Sequence, residues 1–263
     1  MNPAETPGRS PAPSPTIAVA IPCYNEAAAV GRVVDDFRAS LPGADLVVFD
    51  NASDDGTAEV AAAHGARVVF VPDRGKGFAV RAAFAELKGY DVVVMTDGDG
   101  TYPASSAPAL IAPVVDGVAE MVVGVRRPVP GAQAMSPVRG LGNVLIGGAF
   151  RALVGPGTGD LLSGYRAFGR RFVGSVELRS EGFEIETELA VTATARGFPT
   201  REIDVPYHPR IAGTESKLRA FRDGRRILAT IVREGLRLRP LRALTLVVAA
   251  AAALVALVAL ARR

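Results

Sequence analysis

Several scarcities narrow what this 263-residue chain can be before any motif is read. With one cysteine, Cys23, no internal disulfide can form, which fits a reducing compartment. That cysteine ends an apolar run and reads as packing. A nucleophile there would need a partnered base, and the only two histidines, His64 and His208, show no linking pattern. The first strand is followed by Pro22-Cys23-Tyr24-Asn25-Glu26 and not by Gly-x-Gly-x-x-Gly, which disfavours a nicotinamide dehydrogenase or a methyltransferase. A Gly-x-x-x-x-Gly-Lys-Ser/Thr phosphate loop is missing too, although Gly75-Lys76-Gly77 could still bring a lysine to a diphosphate. Residues 1–15 hold five prolines and no apolar run, so they read as a disordered lead-in lacking the core of a signal peptide. Tryptophan is absent, yet 49% of the residues are hydrophobic and alanine is abundant, which hints at a membrane element.

What is present reads as alternation. Strands are expected at Ile17–Ile21, Asp45–Asp50, Arg67–Val71, Val92–Met95 and Ala119–Val125, with helices over Ala27–Ser40, through Val60, over Phe78–Leu87 and over Ala104–Val115. The strands are apolar throughout and do not alternate, which argues a parallel sheet covered on both faces. Each ends in a polar cluster, so the clusters should converge on one crevice at the carboxyl ends of the strands. The focal stretch is Val92 to Pro103, a buried strand that stops at Asp97-Gly98-Asp99. Hard oxygen ligands this close suit Mg²⁺ or Mn²⁺ shared with substrate phosphates, whereas an Asp-Gly turn capping the next helix is the plainer alternative. Further on, Arg126–Pro137 reads as a loop and Leu141–Val154 as a closely packed helix. A second helix opens at Gly182 and carries Glu184, Glu186 and Glu188, with Glu184 and Glu188 on one face and Glu186 elsewhere. Glu202–Val205 is a short strand, and the loop after it presents Arg210 and Lys217, suited to an anion.

The charge is uneven. From Lys217 to the end there are 11 basic and 2 acidic residues. Phe221, Leu228, Ile231, Val232 and Leu236 recur there at near-helical spacing among arginines, the pattern of a helix lying in the headgroup plane. Leu241–Ala261 follows as a candidate transmembrane helix, since about 20 apolar residues span a bilayer. Arginines abutting an apolar span favour a membrane over nucleic acid, and their excess before the span puts the body on the cytoplasmic side of the cell membrane. The expected organisation is therefore a lead-in at 1–15, an α/β domain at 16–216, a basic juxtamembrane helix at 217–240 and a span at 241–261.

Six segments in register resemble the family-2 glycosyltransferases: Val19–Glu26 (VAIPCYNE), Asp50–Thr57 (DNASDDGT), Arg74–Gly77 (RGKG), Thr96–Tyr102 (TDGDGTY), Ser163–Phe168 (SGYRAF) and Gly213–Leu218 (GTESKL). The branch they are most similar to is that of the dolichyl- and polyprenyl-phosphate sugar synthases. The resemblance implies a GT-A, Rossmann-like α/β fold, a nucleotide-sugar donor (UDP- or GDP-linked), a divalent metal and inversion at the anomeric carbon. Carried over by position, Pro22, Tyr24, Asn25, Glu26, Asp50, Ser53, Lys76 and Gly98 would border the donor, and Asp97 and Asp99 would hold metal and diphosphate as the catalytic pair. Arg126, Ser163, Arg166, Arg210, Ser216 and Lys217 would gather around the acceptor and the leaving diphosphate. Asn51 departs from the pattern, since many relatives have a second aspartate there, and so does Gly100-Thr101-Tyr102 after the acid pair.

The acceptor decides whether a base is needed. A phosphate monoester, with a second pKa of about 6, is mostly dianionic at neutral pH and can attack without deprotonation. A glycolipid or saccharide hydroxyl would need Glu184 or Glu186 as base. The basic, membrane-facing carboxyl half favours polyprenyl phosphate. A membrane-tethered binder of nucleotide sugar without turnover is the non-enzymatic alternative, and the sequence leaves the oligomeric state, a homo-oligomer included, open.

Overall fold

The computed structural model describes residues 14–130, 137–157, 159–215, 217, 220–241, 244–245 and 248. Seven strands form one sheet: β1 (Ile17–Cys23), β2 (Asp45–Asp50), β3 (Arg67–Phe70), β4 (Val92–Met95), β5 (Met121–Pro128), β6 (Arg166–Gly169) and β7 (Thr200–Tyr207), in the order β3-β2-β1-β4-β6-β5-β7. Pairing is parallel between β3, β2, β1 and β4 and between β5 and β7, while β6 runs antiparallel to both its neighbours. The expected mostly parallel sheet is there. Two local expectations change: β5 continues through Pro128 into what reads as a loop, and Arg166–Gly169, which begins inside the Ser163–Phe168 motif and ends one residue past it, is a strand.

Alternate residues of the inner strands feed opposite cores, as the two-residue repeat of a pleated strand requires. Val19 and Ile21 of β1 and Val92 and Val94 of β4 pack with Val30, Val34 and Phe37 of α1 (Ala27–Ser40) and Leu110 of α4 (Ala107–Val115). On the other face Ala18, Ala20, Val93 and Met95 pack against Val80, Phe84 and Leu87 of α3 (Lys76–Leu87) and Ile185 and Leu189 of α7 (Ile185–Ala195). At about 1.5–3 kcal/mol for each large apolar side chain, these two cores dominate the stability. They also clamp the ends of β1, β2 and β4 at one level, which is what positions the site. The remaining helices are α2 (Thr57–Ala63), α5 (Pro137–Leu153), α6 (Arg170–Ser175) and α8 (Ala220–Leu238).

The basic helix departs from the expectation that it lies wholly in the headgroup plane. Ile227 and Ile231 of α8 are buried in a third core with Phe150 and Leu153 of α5 and Val191 of α7. Leu228 and Leu236 are exposed, so the apolar stripe is shared between the protein and its surroundings. Gly235 permits the close crossing, because a Cβ there would stand 2.9 Å from that of Leu153. Among the described residues no helix is long and apolar enough to cross a membrane. The candidate span 241–261 lies largely outside the described residues, as do most of the lead-in and Ser216.

Candidate active site

The acid pair forms where β4 ends. Thr96 N–H still bonds the Ala20 carbonyl of β1, and the chain then turns through Asp97-Gly98-Asp99. Gly98 is pressed against Cys23, where any Cβ would collide with the Sγ. Asp99 Oδ1 accepts from Thr101 N (3.0 Å) and Thr101 Oγ1 (2.7 Å), while its Oδ2 holds Arg210 NH1 at 2.6 Å. Asp97 Oδ1 accepts from Lys76 Nζ at 2.6 Å, and the same ammonium reaches Glu186 Oε1 at 2.6 Å. Gly164 lets the Asp97 carboxylate approach the backbone, since a Cβ there would lie 2.8 Å from either oxygen.

Lys76 reaches this position because α3 begins under a tight constraint. Gly75 (φ 148°) and Gly77 lie against the carbonyls of Glu181 and Ser180, and neither place admits a Cβ. Gly77 N–H donates to Glu181 O (2.9 Å) and Gly75 N–H to Asn51 Oδ1 (2.6 Å). Asn51 Nδ2 in turn donates to the carbonyls of Asp73 (2.6 Å) and Val71 (3.3 Å). An aspartate at 51 could not make those two donations, which gives a physical reason for the asparagine. The loop after β2 is a second brace: Ser53 Oγ accepts from Asn25 N–H (3.0 Å), Asn25 and Asp54 exchange two bonds, and Asp55 and Thr57 cap the start of α1.

These elements enclose a cavity of about 490 Å³. Acids Glu26, Asp97, Asp99 and Glu215 face bases Arg74, Lys76, Arg210, Lys217 and Arg222 around it, with Tyr24 and Phe183 as its aromatic walls. Arg74 and Lys217 both approach the Tyr24 ring, at 5.0 and 6.0 Å from its centroid. Burial pushes the Asp97 carboxyl up, but Lys76, with Arg210 and Arg126, outweighs it and holds the group below the ordinary range. Burial and the neighbouring Asp97 push Asp99 the other way, above it. Burial, then Asp99, raises Glu26 to about 7, against the pull of Arg210 and Lys217.

Comparison with known proteins decides the family. The model for "Glycosyl transferase family 2" matches residues 18–172, more than half of the chain. The chain belongs to glycosyl transferase family 2. It is 38% identical to the glycosyltransferase AglJ of Haloferax volcanii over 87% of this chain and 75% of that one. It is 35% identical to a dolichyl-phosphate hexose transferase of the same organism, over 82% of this chain and 92% of that one. Among solved structures it resembles glucosyl-3-phosphoglycerate synthase from Mycobacterium tuberculosis in complex with Mn²⁺ and UDP-glucose. The TM-score is 0.66 at 27% identity, covering 84% of this chain and 79% of that one. The fold is thus α/β of the GT-A kind, and the chain is a glycosyltransferase.

In this glycosyltransferase Pro22, Tyr24, Glu26, Lys76, Asp97, Gly98, Asp99, Arg210 and Lys217 all line the one cavity. Asn25 and Ser53 instead brace its wall, and Asp50 is buried at the end of β2 with an Oδ1 that has no hydrogen-bond partner among the described residues. Three residues expected near the acceptor are engaged elsewhere. Arg126 is held in a two-pronged pair by Asp160 (2.6 and 2.7 Å), and Ser163 donates to Gly124 O (2.6 Å). Arg166, with no exposed surface, donates to the carbonyls of Leu161 (2.7 Å) and Ser163 (3.0 Å), and burial lowers its pKa to about 10. Of the two glutamates named as bases, Glu184 accepts from Gly182 N–H (3.2 Å) and Glu186 shares Lys76 with Asp97. Phe183 and Arg222 carry no signal in the sequence, Arg74 and Glu215 lie inside two of the family-like motifs without a role assigned to them, and Asn51 stands out there only as a departure from the family pattern.

A divalent ion fits this donor set only as a shared ligand. Among the described residues no group of three or more His, Cys, Asp or Glu is arranged to hold a metal. Asp97 and Asp99 alone would leave the ion's other positions to water and, when a nucleotide is bound, to phosphate oxygens, the usual habit of Mg²⁺ and Mn²⁺.

Proposed function

We propose that this glycosyltransferase transfers a hexose from a nucleotide sugar (UDP- or GDP-linked) to a polyprenyl phosphate at the cytoplasmic face of the cell membrane, with inversion. The observation that carries the reading is the cavity itself: two strand-end carboxylates and five basic side chains line the same space. That many basic groups suit two phosphate-bearing partners, one leaving and one attacking. A divalent cation, Mg²⁺ or Mn²⁺, on Asp97 and Asp99 would neutralise the leaving diphosphate. Lys76 and Arg210, pointed at the same place, stabilise the negative charge that develops on the diphosphate as the bond to C1 breaks. Arg74 and Lys217 flank Tyr24 at the rim, where a nucleoside ring would meet an aromatic face. A dianionic acceptor attacks C1 without a base, so binding and alignment are what the basic groups must supply.

The acceptor is supported by names and by surface. Relatives include the dolichyl-phosphate hexose transferase and an undecaprenyl-phosphate mannosyltransferase of Micrococcus luteus, 29% identical over 75% of this chain and 85% of that one. Leu228, Leu236, Leu241 and Leu244 are exposed on and just after α8, among arginines, as a lipid-facing segment would be. The candidate span 241–261 would continue it. A hydroxyl acceptor is the second reading, and it draws on the buried Oε2 atoms of Glu184 and Glu186, which have no partner among the described residues.

Membranes containing the full chain, given labelled nucleotide sugars, polyprenyl phosphate and Mg²⁺ or Mn²⁺, separate the two. Label in the organic phase that depends on added lipid phosphate and is released by mild acid is the expected result. Label that ignores added lipid phosphate overturns this acceptor and favours the hydroxyl reading.

A further inference from the structure

Both strand-end acids already carry a cation. Asp99 has one oxygen held by Thr101 and the other by Arg210 NH1 at 2.6 Å. Asp97 Oδ1 holds Lys76 Nζ at 2.6 Å. A divalent ion on Asp99 Oδ2 would share that oxygen with a guanidinium, and like charges this close in a partly dry site repel strongly. Each basic group, however, has a second carboxylate beside it. Lys76 reaches Glu186 Oε1 at 2.6 Å, and the same NH1 of Arg210 lies 3.7 Å from Glu26 Oε1. The other oxygens of these two glutamates, Glu186 Oε2 and Glu26 Oε2, are buried and have no hydrogen-bond partner among the described residues. The site therefore contains two acids occupied by cations and two more acids with acceptor capacity, paired one to one.

We propose that Lys76 and Arg210 are resident counter-ions of Asp97 and Asp99 that give way to a divalent metal, and that Glu186 and Glu26 are the positioning residues that receive them. The inference rests on the metal-dependent reading above and adds the route by which the acids become available. Exchange leaves neither basic group without a carboxylate at any stage, which matters because a buried charge left without its partner is strongly destabilising. It also leaves both basic groups next to the metal, ready to meet the diphosphate when it arrives.

Mn²⁺ binding to the full-length chain without nucleotide, read from the EPR signal of free Mn²⁺, tests the exchange. Arg210→Gln removes the competitor and is expected to bind Mn²⁺ about tenfold more tightly than the wild type. Glu26→Gln removes the receiver and is expected to bind it about tenfold more weakly. In the Arg210→Gln background the Glu26→Gln effect should nearly vanish, because no guanidinium remains to be received. Glu186→Gln should weaken binding as Glu26→Gln does, with Lys76 left in place so that two buried carboxylates are never unpaired. Thermal unfolding of each variant verifies that it is folded, and both glutamate replacements keep the side chain's shape. An Arg210→Gln chain that binds Mn²⁺ no better than the wild type overturns the exchange while leaving the metal reading intact. A Glu26→Gln loss of equal size in both backgrounds overturns it too, since Glu26 would then act by charge alone. Absence of Mn²⁺ binding from every variant, with or without UDP, overturns both the exchange and the metal part of the proposed function.

Discussion

The two halves of this site use charged motif residues differently. On the side built by β1, β2, β4 and the start of α3, the motif residues either face the cavity or brace the loop that does so: Tyr24, Glu26, Lys76, Asp97 and Asp99 face it, while Asn25, Asn51 and Ser53 brace. On the side built by β5, β6 and the following turns, Arg126, Ser163 and Arg166 are tied to Asp160 and to backbone carbonyls. Arg210, Glu215 and Lys217 on the late loop, with Arg222 of α8, are what bring charged side chains to line the cavity from the later part of the chain. The lesson is that a polar motif residue beside a site can be there to satisfy buried backbone groups, because each such group left unpaired costs about 1–3 kcal/mol. The first half turns most of its polar motif side chains toward the cavity or its supporting loops, whereas Arg126, Ser163 and Arg166 of the second spend theirs on Asp160 and backbone carbonyls.

The largest expected effect sharpens the first half. Asp99→Asn keeps a side chain of the same shape at the end of β4 but removes the charge, so turnover should fall by about 10³-fold with little change in melting temperature. Single-turnover transfer to lipid phosphate, beside thermal unfolding, measures both. Turnover within tenfold of the wild type would mean that Asp99 is not part of the reacting centre.

The next pair of variants sets the two halves against each other. Arg210→Gln should cut the turnover of the folded chain by about 10²-fold, as loss of one charge-assisted contact to a developing charge does, with a secondary stability cost because buried Asp99 loses its cation. Arg166→Met should do the reverse, costing about 3 kcal/mol of stability through orphaned carbonyls while the folded fraction keeps nearly normal turnover. Denaturant midpoints and turnover per folded molecule read the contrast. Loss of activity in Arg166→Met with stability intact would restore it to the acceptor site and dissolve the distinction.

Asn51→Asp probes bracing within the donor half. The carboxylate can still accept from Gly75 N–H but cannot donate to Asp73 O or Val71 O, and it adds a negative charge to a buried position. A loss of about 2 kcal/mol is expected, with weaker nucleotide binding because the turn before Lys76 loosens. An unchanged denaturation midpoint would show that the turn holds without those donations.

How much of this was legible in the chain depends on distance along it. Strand ends were readable because apolar runs stop at polar clusters, and Asp45–Asp50 and Ala27–Ser40 were delimited to the residue. Strand β6 was not, since a run of four residues, three of them at the end of Ser163–Phe168, is too short to show periodicity. The acid pair was readable as a pair. Its counter-ion network was not, because Lys76 meets Glu186 and Asp99 meets Arg210 only after more than 100 residues of intervening chain. Nor could spacing show that α8 would give half its apolar stripe to α5 and α7, since an amphipathic helix looks the same whether it covers a protein or a membrane.

The smallest expected effect is electrostatic and concerns Glu26, where the two halves meet. Asp99 from one side raises its pKa, and Arg210 and Lys217 from the other lower it, after burial has pushed it up. With a folded value of about 7 against an ordinary 4.5, the folded chain holds more of this proton than the unfolded chain between those values. Stability contributed by the neutral carboxyl is therefore full below the lower value and declines as pH rises through the upper one. Glu26→Gln stays neutral throughout and lacks this decline. The melting temperature of the wild type should accordingly fall by a few degrees relative to Glu26→Gln between pH 5 and pH 8. Saturating divalent metal would shrink the gap if it displaces Arg210 toward Glu26, because a closer guanidinium lowers the carboxyl's folded pKa. A gap that stays constant with pH would mean that the two basic residues already offset burial fully, making the late loop the stronger partner at this boundary.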